Sequence, residues 1–193
     1  MKGLRPSEKG AEKLMVIKIA VLFLVITLAV YSDIRSFKIK NPITYSAVML
    51  GIAINTYSYG IEGFKDAIIG VFIPIIGLFI FFALRMLGAG DIKLYCAVGA
   101  IMGWEFVIAC LAYSFLFGGF ISVIIILFRK NAIQRFKHLY NYIKTTFMMM
   151  KIDKYQDLTN DKNGLFRFAY AILGGTVFSV ADMFFIGFIF WGK

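Results

Sequence analysis

Between Asp66 and Arg85 the chain runs for 18 residues, AIIGVFIPIIGLFIFFAL, without a charge. A bilayer core takes about 20 apolar residues as a helix. The run reads as a membrane-spanning helix, and comparable runs recur along the chain. The expectation is an all-α integral membrane protein with about six transmembrane helices, in one domain over residues 1–193.

The spans are expected near residues 14–32, 42–58, 66–87, 92–103, 106–128 and 168–191. Pro42 opens the second, a position that tolerates proline. Pro74 lies inside the third and predicts a kink. Residues 92–128 are apolar apart from Lys93 and Glu105. As one helix they would reach about 55 Å, against a hydrocarbon core of ~30 Å, so a break is placed at Gly103-Trp104-Glu105. The piece before it is short for a span and needs shielding by protein.

Composition agrees: 60% of residues are hydrophobic, against ~45–50% in soluble domains. The net charge of +10 is assigned to topology and lipid headgroups, not to nucleic acid. Fourteen of the 21 Lys and Arg fall after the first, third and fifth spans, which puts those loops in the cytoplasm. Residues 129–163 are expected to include a basic amphipathic helix on the membrane surface, with Ile133, Phe136, Tyr140, Ile143 and Phe147 as its apolar stripe. Cys96 and Cys110 lie in apolar runs without a CxxC pair, so neither a zinc site nor a disulfide framework is expected. The first span lacks a small-residue cleavage site, which argues against a removed signal peptide.

Carboxylates near membrane depth cost ~2.5–3.5 kcal/mol on the mildest scale and are functional candidates by default. Three stand out: Asp33, Asp91 and Asp182. Asp33 ends the first span and Asp91 follows the third. Two crossings separate them, so both lie at one depth on one face. At close range they cannot both ionise cheaply, and a pair sharing one proton is the machinery of aspartic proteolysis. Gly88 and Gly90 permit a sharp turn and close approach of an extended substrate. Lys93 can hold a negative charge or the substrate backbone. Asp182 sits about 22 Å along the last span and is read as a packing or hydrogen-bonding residue. The competing account of Asp33 is an interfacial ion pair with Arg35.

The ordered pair "SDIRSFKIKNP" and "GAGDIKLYCAVGAIMG" resembles the type IV prepilin peptidase family. The family's first motif is like D-x-R-x-x-x-I-P-N; here Asp33, Arg35 and Asn41 fit it, with Lys40 in place of the proline. Its GxGDxK motif is met by Gly88, Gly90, Asp91 and Lys93. The family's closing helix resembles "FRFAYAILGGTVFSV", with Arg167 where proline is frequent. The resemblance implies a membrane aspartic endopeptidase that removes the short, basic leader of prepilin-like proteins at the cytoplasmic face, before their hydrophobic helix. It implies Asp33 and Asp91 as the dyad, Gly88, Gly90, Lys93, Arg35 and Asn41 as positioning residues, and neither metal nor cofactor. Longer relatives carry a methylation region with paired CxxC motifs, absent from this sequence, so a peptidase without that activity is expected. It would be like the short Tad- or Flp-pilus enzymes or archaeal preflagellin peptidases. Its partners would be prepilin-like substrates and membrane lipids. Rival readings are another GxGD intramembrane protease, and a non-enzymatic transporter or assembly scaffold.

Overall fold

The computed structural model describes residues 8–36, 39–84, 86–128 and 168–186. The surface segment expected over 129–163, the positions Lys38, Arg85 and Arg167, and the end of the last span lie outside the described residues. All regular structure described is helical: α1 (Glu8–Ser36), α2 (Asn41–Ala83), α3 (Ala89–Met102), α4 (Trp104–Phe128) and α5 (Phe168–Ala181), the last running into a π-helical turn, Asp182–Ile186. Three of these, α1, α2 and α4, are long and apolar enough to cross a membrane. The chain divides into two compact units, Met1–Phe117 with Arg167–Lys193, and Gly118–Phe166. The first holds α1, α2, α3, α5 and α4 up to Phe117. The described part of the second is the end of α4.

Helix α2 covers both the second and third expected spans. Its one non-helical residue is Gly60, at φ 62° and ψ −137°, a region open essentially to glycine alone. The chain reverses there. Thr44 and Val48 before Gly60 line the same cavity as Ile75 and Phe82 after it, so the two arms run antiparallel. Pro74 stays within helical dihedrals. The reversal therefore comes at the glycine, where the backbone can turn over, and the proline is absorbed as one missing ladder bond.

Helix α3 is only 14 residues long, about 21 Å. Every residue from Leu94 to Ile101 is buried, so the helix is enclosed by protein. Small residues permit this. A Cβ at Gly51 would lie 2.6 Å from the Ala100 carbonyl carbon, and one at Gly70 2.7 Å from the Gly99 carbonyl carbon. Both arms of α2 thus touch α3 backbone to backbone, a contact favoured where lipid offers no hydrophobic drive between helices. The chain breaks after α3 at Gly103, whose φ of +98° suits glycine.

A polar joint ties three helices at the end of α3 away from Asp91. The Asn55 side-chain amide donates to the carbonyls of Ala100 (2.8 Å) and Ile101 (3.1 Å). These are among the last carbonyls of α3, which have no partner within the helix. Lys18 of α1 donates to Asn55 Oδ1 at 2.6 Å, and its ammonium stands 5.1 Å from the centre of the Tyr59 ring. Beyond the break, the Trp104 N–H that opens α4 donates to Asp66 at 3.4 Å.

Candidate active site

The opposite end of this bundle gathers the two sequence motifs. Residues 39 and 40 lead from α1 to α2, with Lys40 extended (φ −69°, ψ 130°) ahead of Pro42 in the first turn. Leu87 and Gly88 lead into α3, with Gly88 as its extended N-cap. Asp91 is therefore the third residue of a helix rather than part of the loop before it. Its carboxylate accepts the Gly88 N–H at 3.2 Å, satisfying one of the donors that a helix start leaves open.

Asp33 and Asp91 line one pocket of about 340 Å³, together with Ile39, Asn41, Gly88, Ala89, Gly90 and Lys93. The helix hairpin produces this meeting. α2 leaves this end, turns at Gly60 and returns, so α3 starts where α1 stopped. Of the seven sequence-expected residues, six are in the lining. Arg35 is not: it is exposed and donates to the Tyr31 hydroxyl on its own helix at 3.2 Å. Asp182 is also elsewhere, buried on the last helix with the Tyr113 hydroxyl as a hydrogen-bond partner.

Both motif glycines are sites of close approach. A Cβ at Gly88 would stand 3.2 Å from the Asp91 carboxylate, and one at Gly90 3.2 Å from the Ile39 Cβ. Ile39 is a wall residue that the sequence did not single out, because its role depends on what faces it. Lys93 is held from both sides: its ammonium donates to Asn41 Oδ1 at 3.0 Å and lies 5.3 Å from the centre of the Tyr45 ring. This bond spans the two motifs and fixes the start of α3 to the start of α2.

Asp91 lies ahead of the span expected over 92–103. Burial pushes its carboxyl up to about 6. The Gly88 N–H opposes that shift and the charge of Asp33 adds to it. A half-buried carboxyl beside a second one favours keeping a proton. Such a pair can hold one proton and offer one base. Among the described residues no three His, Cys, Asp or Glu side chains gather as a metal site.

Residues 20–123 match the type IV leader peptidase family. No curated protein and no solved structure matches the chain. The match covers more than half of the 193 residues and includes all of the pocket lining. The chain belongs to the type IV leader peptidase family, and it is a peptidase of the membrane.

Proposed function

We propose that the chain is an aspartic endopeptidase that removes the leader from prepilin-like proteins at the cytoplasmic face, with Asp33 and Asp91 as the dyad. One observation carries the reading: the two carboxylates, 58 positions apart in the sequence, line a single pocket. The raised Asp91 carboxyl supplies the acid and Asp33 the base. Asp33 takes a proton from water as the water oxygen bonds to the scissile carbonyl carbon. Asp91 donates a hydrogen bond, then its proton, to the carbonyl oxygen. The tetrahedral intermediate collapses, the C–N bond breaks, and a proton passes from the dyad to the leaving amine. Gly88 and Gly90 leave room for an extended substrate backbone, while Lys93 and Asn41 position it. The six-span arrangement and the cytoplasmic placement of the pocket belong to the same proposal. They rest on the charge distribution and on the sequence motifs.

The test is co-expression of prepilin-like proteins with wild type, Asp33→Asn and Asp91→Asn at matched accumulation. Leader loss with wild type alone is expected. Persisting cleavage in either folded variant overturns the dyad.

A further inference from the structure

A second cavity adjoins the carboxylate pocket. It measures about 430 Å³ and lies between the two arms of α2, with α3 as its floor. Its walls include Val48 from the first arm and Ile75 and Phe79 from the second, above Ile92 and Cys96. Ile75 is 41% exposed and Phe79 62%, so the cavity opens sideways from apolar helices, where a bilayer would lie. Ala89 and Lys93 line both this cavity and the carboxylate pocket. The two therefore adjoin, and Lys93, between Asn41 and the Tyr45 ring, stands between the polar and the apolar walls.

We propose that this cavity receives the apolar helix of the substrate, just beyond the scissile bond. The inference rests on the peptidase reading and adds where the substrate is gripped. A chain held across the two aspartates has the apolar cavity as its next neighbour along α3. A helix is 10–12 Å across with its side chains, so the cavity takes not the whole helix but one or two leucine- or phenylalanine-sized side chains projecting from its first turns. Such knobs, three or four residues apart, face one side of a helix. Lipid acyl chains share the apolar chemistry, but the walls shared with the carboxylate pocket, Ala89 and Lys93, favour the segment tethered to the scissile peptide.

The experiment places a photo-crosslinking residue at Ile75 in an Asp33→Asn background with a co-expressed prepilin-like protein. Ile69, exposed on the same arm but outside the cavity, is the control. In parallel, Val48→Trp fills the cavity in the active enzyme. The expected results are an adduct from position 75, not 69, to the first turns of the substrate's apolar segment, and a KM raised roughly tenfold or more by Val48→Trp with kcat much less affected. If wild type cleaves the protein while position 75 labels only lipid and KM is unchanged, the cavity assignment fails and the peptidase reading stands. If wild type cleaves no prepilin-like protein, both fall.

Discussion

Replacing Gly99 with alanine tests how α3 is seated. The added Cβ would lie 2.5 Å from the carbonyl carbon of Gly70 and 3.0 Å from its Cα, where ordinary contact begins near 3.4 Å. The obstacle is backbone, so no side-chain rotation relieves it. The Gly70 carbonyl oxygen lies closer still, so the helices must part locally by at least about 0.9 Å, the gap between the 2.5 Å carbon contact and 3.4 Å. Overpacking of a tight contact typically costs about 1–3 kcal/mol. Asp91 stands eight residues earlier on the same helix, about 12 Å away. A misplacement near 1 Å at reacting groups lowers rates by about a hundredfold. Gly99→Ala is therefore expected to lower the thermal unfolding midpoint in detergent and to depress leader cleavage by up to about that factor. Gly77→Ala is the control: nothing stands within 4 Å of its Cβ position. If Gly99→Ala matches Gly77→Ala in both unfolding and cleavage, the backbone contact does not seat the helix.

Asn55→Leu strands the carbonyls of Ala100 and Ile101 and the Lys18 ammonium, at about 1–3 kcal/mol or more. Adding Lys18→Met is expected to restore part of that loss, because the stranded charge is removed; a double-mutant cycle on unfolding free energies reads the coupling. Gly60→Ala has open space around it but a disallowed backbone, so it should destabilise by roughly 1–3 kcal/mol, seen as a lower unfolding midpoint. The pH profile of kcat/KM reports Asp91. Its carboxyl is raised to about 6, so the proton it donates is present below that pH and lost as pH rises through it; activity should fall on that alkaline limb. A profile flat across that limb would contradict Asp91 as the acid.

The relation between Asp33 and Asp91 was legible in the sequence because counting helices fixes which membrane face a residue reaches, whatever the packing details. The helical class was legible because lipid leaves the backbone few choices. Other features depend on partners that hydropathy does not reveal. Lys18 falls inside the first expected span with no partner visible in the sequence, yet its amine is bound inside the bundle to Asn55. Pro74 carries the stronger sequence signal for a bend, but the reversal sits at Gly60, where the unusual backbone is open to glycine. Gly70 and Gly99 lie in different segments, and neither marks itself as a contact until the other is brought against it. Arg35 fits its motif and yet turns to Tyr31, because its helix continues past Asp33 to Ser36 and keeps the two a half-turn apart.

The most direct test of the two-carboxylate account is kcat/KM for leader removal by purified wild type, Asp33→Asn, Asp91→Asn and the double variant. Two groups that act as one unit give non-additive losses. The account predicts that each single substitution abolishes cleavage to the background and that the double variant is no worse than either. Measurable activity in one single variant, with a further multiplicative loss in the double, would contradict it.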